Sequence, residues 1–431
     1  MSLNVNPYKG TKDFFPEDKR LQDYIFRVFR KVVKEYGYEE YDTPLIEPID
    51  LYIAKSGEEI VNEQTYSFVD RGGRKVAIRP EMTPSVSRLV ASKRQELAYP
   101  LRWFSIPILW RYERPQKGRM REHRQLNVDV FGVDSYLAEL EIIMLTNSLL
   151  KEFGANPTMY EIKVNHRQLL DELFGVYLGL DGDQSHKMAR LLDKKDKISK
   201  TEFLDIVDSI LTAKQRDNGA SEKLLSALSA ESIEKLPKEL SETDAVKEIK
   251  TLIESSKAHG IKNIKFDIGI VRGFDYYSGL VFELFDTSPE NNRSMMGGGR
   301  YDGLVGLFGV EPIPTVGFGL GDATLLNFLE IHNLTPNFTS EVDLYVVIIG
   351  DEYDSAINAA NQLRSNGINV AIDYSGRKLG NQIKIAEKKA INYVLIIGPE
   401  ESKTQRFTLR DITKSTEDKL DIEQIANRLK R

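Results

Sequence analysis

The sequence contains no cysteine, so disulfide bonds, thiolate metal sites and a cysteine nucleophile are all excluded. Long apolar runs are also missing. The segment MSLNVNPYKGTKDFFPEDKR has no apolar core of signal-peptide length, and no later segment is long enough to span a bilayer. We therefore expect a cytoplasmic protein. An excess of positive charge is absent too, since the formal net charge is −6, which argues against a chain-wide nucleic-acid coat but allows local basic grooves.

What the chain does contain is an ordinary globular composition, with 41% apolar and 29% charged residues. This apolar share is sufficient for a packed core. The length of 431 residues exceeds that of one typical domain, so two or three domains are expected.

The first part of the chain changes from a helical to a strand-like pattern and back. In 17–36 apolar residues recur at helical spacing, and Gly37 provides a natural stop. Between 64 and 131 the runs are strand-like, and the Gly72-Gly73 pair between two of them indicates a hairpin. Residues 137–153 are again helical in pattern.

The second part divides into three regions. Residues 166–260 are polar and amphipathic, which predicts an inserted helical subdomain between strand-forming stretches that resume at 261–330. A polar linker follows at 331–342. Buried strands then alternate with helices over about 90 residues, which predicts a separate α/β domain.

The stretch LRWFSIPILWRYERPQKGRMREHRQLNVDVFG, residues 101–131, is the richest in chemically active side chains. Arg111 and Glu113 are two apart on a strand and therefore face one side, and Gln125 and Asp129 share a side of the returning strand. Guanidinium groups match phosphate oxygens, and carboxylates match an amine. The hairpin thus suits a ligand that carries phosphate and ammonium, although an exposed, salt-bridged hairpin explains the same charges.

Two further segments are candidates. In AIRPEMTP, 77–84, Arg79, Glu81 and Thr83 alternate onto one face of a predicted strand, where Glu81 and Thr83 could bind an ammonium group; an ordinary ion pair at a strand end is the alternative. In GGGRYDG, 297–303, glycines permit close approach of a ligand, but such a run is more often a turn. It is neither a phosphate-binding Walker loop nor a dinucleotide fingerprint, because the required spacing is absent.

Five segments, in chain order, closely resemble the histidyl-tRNA synthetase family of class II aminoacyl-tRNA synthetases: GTKDFFPE, TYSFVDRGGRKVAIRPEMTP, WRYERPQKGRMREHRQLNVDVFG, VRGFDYYSGLVFE and GGGRYDGLV. The resemblance implies an α+β fold, with an antiparallel sheet and flanking helices as the catalytic domain at 1–165 and 261–330. It also implies a helical insertion at 166–260 and an anticodon-binding α/β domain at 342–431. The implied reaction activates histidine with ATP to give histidyl-adenylate and pyrophosphate, and then transfers the histidyl group to the terminal adenosine of tRNA(His).

The resemblance also implies roles for individual residues. Arg111 and Arg272 are the expected catalytic cations, and ATP is expected to contact Arg111, Glu113 and Arg119, with Mg²⁺ bound mainly through its phosphates. The expected histidine-binding residues are Glu81, Thr83, Gln125, Asp129, Arg272, Tyr276, Tyr277 and Tyr301. Among them Asp129 and Tyr277 would bind the imidazole nitrogens, whereas core packing is the alternative for Tyr276. No protein metal site is expected.

Partners follow from the same resemblance. Arg114, Gln116 and Arg121 would meet the tRNA acceptor end, and the segment 375–384 is a candidate RNA face, with a solvated helix start as the alternative. The helix at 17–36 and the strand around Pro44 resemble the family's dimer-forming motif, so a homodimer is expected.

The chain departs from the family at one position. Thr324 stands where class II enzymes carry an arginine over the adenine, and the sequence leaves open which group replaces it. A rival is a catalytically inactive paralogue that serves as the histidine-sensing regulatory subunit of ATP phosphoribosyltransferase. Such proteins lack the anticodon domain and usually the arginine at 272, both of which this chain keeps. An RNA-binding module without catalysis would leave AIRPEMTP and RGFDYY unexplained.

Overall fold

The structure of the protein, a computed structural model, describes residues 3–430 apart from 54–63, 117, 196–197, 272–275, 292 and 339. Contacts divide the chain into two units, Met1–Thr335 and Pro336–Arg431.

The larger unit is built from strands and helices in the following ranges. Its strands are β1 Glu39–Glu40, β2 Ile46–Pro48, β3 Tyr66–Val69, β4 Lys75–Ile78, β5 Leu101–Ser105, β6 Ile108–Trp110, β7 Glu122–Phe131, β8 Tyr160–His166, β9 Ile264–Phe266, β10 Leu280–Asp286, β11 Ser294–Arg300 and β12 Thr315–Gly321. Its helices are α1 Pro16–Glu35, α2 Asp50–Ile53, α3 Thr83–Ser92, α4 Leu137–Glu152, α5 Arg167–Asp171, α6 Gly182–Leu192, α7 Lys200–Ile210, α8 Ala213–Asp217, α9 Ala220–Leu228, α10 Lys238–Ser241, α11 Asp244–Ala258 and α12 Asp322–Ile331.

A mixed nine-stranded sheet is the centre of this unit. Its strand order is β1-β5-β7-β12-β11-β10-β8-β9, and β6 pairs with the first part of β7. The strands from β5 to β8 pair antiparallel, whereas β1 with β5 and β8 with β9 are parallel. The expected antiparallel core is therefore confirmed, with parallel pairs only at its two ends.

One face of this sheet is apolar and packs on helices. Val128, Phe318 and Phe282 lie on this face, and they belong to a single core cluster that includes the buried sides of α1, α4 and α11. Residues that pair in register on neighbouring strands have their side chains on the same face of the sheet. On the opposite face, the polar side chains of β7 therefore lie next to glycines of β12, which in turn pair with glycines of β11. The two faces thus separate structural packing from a surface that is open to ligands.

Most elements predicted for the larger unit are confirmed. The helix expected over 17–36 is α1, and Gly37 after it has a φ of 80°. The hairpin at Gly72-Gly73 joins β3 to β4, which pair antiparallel. The predicted 101–131 hairpin is also present, although its first strand breaks between β5 and β6 at Pro107, which lacks an N–H for the ladder.

The prediction for 77–84 is wrong in one respect. We expected a strand that carries Arg79, Glu81 and Thr83 on one face, but β4 ends at Ile78 and Thr83 begins α3. Pro80 cannot donate to a strand ladder, and Pro84 suits the first turn of a helix, so the two prolines favour a turn followed by a helix.

The region predicted as an inserted helical subdomain contains the helices α5 to α11, between β8 and β9. Its apolar side chains, among them Leu170, Val207, Leu224 and Ile249, join the core cluster that also lies under the central sheet. Contacts do not separate it from the larger unit, so its standing as a domain stays a prediction.

The smaller unit contains β13 Leu344–Ile348, α13 Tyr353–Ser365, β14 Val370–Ile372, α14 Leu379–Lys388, β15 Tyr393–Ile397, α15 Pro399–Thr404, β16 Phe407–Asp411, β17 Thr416–Leu420 and α16 Ile422–Leu429. Its sheet has the order β14-β13-β15-β16-β17. The predicted alternation of strands and helices is confirmed, but β17 was not predicted because TEDKL shows no alternation of apolar residues. In the described parts of the chain, no helix is both long and apolar enough to cross a membrane.

A buried ion pair joins β11 to α4. Arg300 forms two hydrogen bonds of 2.7 Å to Glu139, and the side chains are 11% and 0% exposed. Burial raises the pKa of Glu139, which the hydrogen bonds from Arg300 only partly offset.

Substitution Arg300→Ala should destabilise the larger unit by about 3–5 kcal/mol, because it leaves a buried carboxylate without its cation. Urea unfolding followed by tryptophan fluorescence would measure this, since the only tryptophans, Trp103 and Trp110, lie in this unit. The matched control is Arg30→Ala, which removes the exposed Arg30–Glu40 pair and should cost less than about 1 kcal/mol. Equal losses in the two variants would contradict the interpretation.

Candidate active site

The candidate site lies on the polar face of the central sheet, along β7. His123, Gln125, Asn127 and Asp129 are spaced by two residues, so all four face this side. Asp129 is only 4% exposed. The site therefore extends along one strand, from the loop before β7 to its buried end.

Glycines of β12 form the floor beside these side chains. Gly317 is the register partner of Asp129, and a Cβ added to it would lie 2.1 Å from the Asp129 carboxylate. A Cβ on Gly319 would lie 1.4 Å from the Gln125 amide nitrogen. Glycine is required at both positions because the polar side chains of β7 lie flat across the neighbouring strand.

At the buried end, Asp129 accepts a hydrogen bond from the Tyr301 hydroxyl. Burial raises the pKa of Asp129 to about 7, and the hydrogen bond from Tyr301 only partly offsets this effect. Burial and the nearby Asp129 charge likewise raise the pKa of Tyr301. The pair provides a carboxyl group that is protonated or ionised at small cost near neutral pH.

Three tyrosine rings enclose this end of the site. The ring centroids of Tyr276 and Tyr277 are 4.5 Å apart, and Tyr301 lies 6.1 Å and 6.4 Å from them. Tyr277 is 9% exposed and Tyr276 is half-buried. The structure thus brings together Asp129 and the three tyrosines that the sequence singled out.

The predicted catalytic Arg272 lies outside the described residues. The segment on its N-terminal side is held at the polar face, because the Asn165 amide donates to the carbonyl oxygens of Ile268 and Ile270 at 3.1 and 2.9 Å. On its C-terminal side, Tyr276 belongs to the tyrosine cluster.

At the other end of β7, guanidinium groups collect around Glu113. Arg119 forms a forked ion pair with Glu113, of which one hydrogen bond measures 2.5 Å. Burial opposes ionisation of Glu113, but Arg119 outweighs it and lowers the pKa of Glu113. Arg111 donates to the Pro80 carbonyl at 2.9 Å, and Trp110 N–H donates to the Arg79 carbonyl at 3.1 Å.

These two contacts join the turn before α3 to the same end of the site. Glu81 in that turn is buried, and Thr83 is half-buried at the start of α3. Arg79 instead points into the fold, where it contacts Asp42, Thr43 and the Ile108 carbonyl. For Arg79 the ordinary ion pair is therefore the correct interpretation.

The loop before β7 differs from the expectation for Arg121. Its guanidinium is stacked 4.0 Å from the Tyr112 ring and donates to the Tyr8 hydroxyl, and the residue is 8% exposed. We expected a loop cation that contacts a partner, but aromatic rings cover it. Arg114 and Gln116 are exposed, as a contact with a partner requires.

His123 is a site residue that no motif in the sequence indicated. Burial, followed by the charge of Arg111, lowers the pKa of His123 to about 4, so the ring is neutral under physiological conditions. Its Nδ1 atom is buried and has no hydrogen-bond partner among the described residues. Its alternation with Gln125 and Asp129 along β7 was the one available signal.

Two groups of side chains with different binding chemistry lie a few residues apart along β7. Cations around a carboxylate suit a ligand with phosphates and an exocyclic amine, while the buried carboxyl and phenols suit a small polar ring. Among the described residues, no group of three or more His, Asp or Glu side chains could hold a metal ion.

Comparison with known proteins covers nearly the whole chain. The family model of histidyl-tRNA synthetase matches residues 10–325, and that of an anticodon binding domain matches residues 343–431. A histidine–tRNA ligase of Leptospira biflexa is 48% identical over 414 residues, which are 95% of this chain and 94% of the relative. A histidine–tRNA ligase of Thermoplasma volcanium is 36% identical over 412 residues, 95% of each chain.

Solved structures agree on the fold. A histidyl-tRNA synthetase from Nostoc sp. PCC 7120 superposes with a TM-score of 0.80 at 23% identity and covers 99% of both chains. A protein from Bacillus halodurans C, described as an ATP phosphoribosyltransferase regulatory subunit/histidyl-tRNA synthetase, has a TM-score of 0.74 at 23% identity, over 92% of this chain and 100% of that one.

The pKa of Asp129 predicts how stability depends on pH. The native protein retains this proton up to about pH 7, whereas the unfolded chain loses it near pH 4. The stabilisation is therefore fully present below about pH 4 and is lost as pH rises through about 7. Relative to Asp129→Asn, which does not titrate, the wild type should become progressively less stable from about pH 4 to about pH 7 and change little above that. Urea unfolding of both proteins across this range tests the prediction, and a constant difference would refute it.

Proposed function

The chain belongs to the histidyl-tRNA synthetase family, and on that premise we propose that it activates histidine with ATP and transfers the histidyl group to tRNA(His). It is an aminoacyl-tRNA synthetase and hence a ligase. The observation that carries the proposal is the polar face of β7, where guanidinium groups around Glu113 and the Asp129–Tyr301 pair lie along one strand above a floor of glycine.

ATP would bind at the guanidinium end. Arg111 would hold the α-phosphate, Glu113 the adenine amino group and Arg119 the distal phosphates. In the free protein Arg119 and Glu113 pair with each other. Nucleotide binding would therefore exchange one ion pair for two contacts, since the amine replaces the guanidinium at Glu113 and phosphate replaces the carboxylate at Arg119.

Histidine would bind at the tyrosine end. Glu81, Thr83 and Gln125 would hold the α-ammonium group, and Asp129 and Tyr277 would bind the two imidazole nitrogens. Tyr301 would orient Asp129 through their hydrogen bond, and Tyr276 would form the wall of the pocket. An apolar isostere would leave these buried polar groups without partners, which supports strong discrimination without editing.

In the chemical step, a carboxylate oxygen of histidine attacks the α-phosphorus and pyrophosphate leaves. The attacking group is already ionised, so no general base is needed. Arg272 and Arg111 would stabilise the negative charge that builds on the α-phosphate in the transition state. For Arg272 the support is the position of Ile270 and Tyr276, which flank the segment and belong to the site.

Mg²⁺ would be held mainly by the ATP phosphates and would neutralise part of their charge.

We further propose that Arg114 and Gln116 meet the acceptor end of the tRNA, while Arg121 supports the loop through its stack with Tyr112. The catalytic domain would comprise 1–165 and 261–330, with the helical insertion at 166–260. The anticodon-binding domain would comprise 342–431, with 375–384 as a candidate RNA face. A cytoplasmic location is typical of the family.

A homodimer is proposed from the region around Pro44. Apolar side chains next to it, on the small sheet β2-β4-β3, are exposed: Ile46 by 48%, Phe68 by 46% and Val69 by 61%. Exposed apolar side chains of this kind suit burial against a second subunit.

The regulatory-subunit alternative is not favoured. An anticodon binding domain matches 343–431, and relatives named histidine–tRNA ligase match 95% of the chain. The likeness to the Bacillus halodurans C protein, at 23% identity, concerns the fold alone.

Histidine-dependent ATP–pyrophosphate exchange is the direct test, followed by aminoacylation of tRNA(His). Arg272→Ala should lower kcat of exchange by roughly 10²–10³-fold, because it removes a preorganised charge from the transition state. Arg71→Ala, which removes an exposed arginine in the β3–β4 turn, is the control and should leave exchange unchanged. No exchange by folded wild-type protein would refute the function, and exchange undiminished in Arg272→Ala would remove that residue from the mechanism.

The glycine floor gives a second test. Gly319→Ala places a Cβ where the Gln125 amide now lies, so the amide must move away from the α-ammonium site. The KM for histidine should rise about tenfold or more, the equivalent of one lost hydrogen bond to a charged group, with little change in the KM for ATP. Gly303→Ala is the matched control, since a Cβ there meets no atom within 4 Å. A similar KM for histidine in both variants would argue against the proposed position of Gln125.

A further inference from the structure

We propose that Arg293 is a nucleotide-binding residue whose guanidinium contacts the triphosphate of ATP. The proposal rests on the proposed function and assigns a role to a residue that none of the sequence motifs includes. Four observations carry it: the location of Arg293, its partner, the missing acidic neighbour, and its link to Arg119.

Arg293 lies immediately before β11, the strand whose Gly297 and Gly299 pair with the glycine floor of β12. The first turn of α12 lies beside the start of the same strand, because the Thr324 hydroxyl donates to the Met295 carbonyl at 3.3 Å. Arg293 therefore stands at the corner where the floor of the site meets α12.

The loop before β7 covers this corner. A Cβ added to Gly118 would lie 2.8 Å from the Asn327 amide nitrogen and 3.6 Å from the Thr324 methyl group. Thr324 is short and neutral and brings no charge to the corner. Arg293 contacts the loop from the β11 side through the Gln116 side chain.

The contact that Arg293 makes is with a neutral group. Its Nη2 atom donates to the Gln116 side-chain oxygen at 2.5 Å. Among the described residues no carboxylate lies within 4 Å of Arg293, whereas Arg119 pairs with Glu113 and Arg300 pairs with Glu139. An amide oxygen cannot balance a full positive charge, so the guanidinium is free to exchange this partner for an anion.

The same contact ties Arg293 to the proposed phosphate site. Gln116 and Arg119 exchange backbone hydrogen bonds of 3.1 and 2.9 Å, so the turn that holds Arg293 also carries Arg119. Arg119 is proposed to bind the distal phosphates. A second guanidinium on the other side of this turn would meet the same triphosphate, and together they would hold it between the loop and the glycine floor.

Steady-state ATP–pyrophosphate exchange tests the proposal in the full chain. For Arg293→Ala the KM for ATP should rise about tenfold or more, while the KM for histidine changes less than about twofold. Arg293→Lys retains the charge but not the fork and should fall between the wild type and Arg293→Ala. Titration calorimetry of ATP in the absence of histidine should show the same loss of affinity. Arg71→Ala is again the matched control for an exposed arginine.

Two results would overturn the proposal. An unchanged KM for ATP in Arg293→Ala, in protein with unaltered thermal unfolding, would show that the guanidinium does not meet the nucleotide. If the KM for tRNA rose instead, Arg293 would be a support for the loop. Failure of the proposed function is distinguishable, because the wild type itself would then show no exchange.

Discussion

The site depends on one constraint: on the polar face of the central sheet, β7 carries long polar side chains and the neighbouring β12 must carry glycine. Asp129 and Gln125 on β7 lie across Gly317 and Gly319 on β12, at distances that no Cβ could share. On the reverse face the same strands present Val128 and Phe318 to the helices. The alternation along each strand thus produces a packed core on one face and a glycine floor on the other from the same two strands.

That constraint explains the electrostatics of the buried end. A carboxyl group that lies against glycine backbone is nine-tenths or more withdrawn from water, and burial raises the pKa of Asp129 to about 7. The Tyr301 hydroxyl supplies a hydrogen bond in the place of water. Burial of a polar group costs free energy unless the group has a hydrogen-bond partner. The glycine floor allows Asp129 to be buried, and Tyr301 provides the hydrogen bond that this burial requires.

Sequence alone predicted the elements with clear periodicity, such as α1, the Gly72-Gly73 hairpin and β7. It failed where residues distant in the chain determine the surroundings of a side chain. The loop sequence shows the charge of Arg121 but not the Tyr8 and Tyr112 rings that cover it.

The same limit applies within the site. The resemblance singled out Asp129 and Tyr301, and the fold brings them into contact. No sequence motif assigned a role to His123 or Arg293. The position of His123 follows from the pairing of β6 with β7, and that of Arg293 follows from its contact with Gln116. Gly317 and Gly319 are visible in the sequence. The side chains that lie over them, however, come from β7, nearly two hundred residues earlier in the chain. Only the pairing of β7 with β12 shows which side chain lies over which glycine.

The free protein compensates the charges of its own site. Glu113 is neutralised by Arg119, Arg293 is held by the Gln116 amide, and burial raises the pKa of Asp129 to about 7, so that its carboxyl group is only partly ionised near neutral pH. Under the proposed binding mode, each of these interactions uses a group that a substrate would meet, so each lowers the affinity for the ligand by the cost of breaking it. A ligand that replaces all of them loses little, because every buried charge gains a new partner. A ligand that replaces only some of these interactions leaves a buried carboxylate or guanidinium without a partner. The free-energy cost of that unpartnered group is larger than the energy of the missing ligand contact itself. Under the proposed binding mode, this self-compensation in the free state acts as a source of specificity, because ATP and histidine must each supply the correct partners at opposite ends of the same strand.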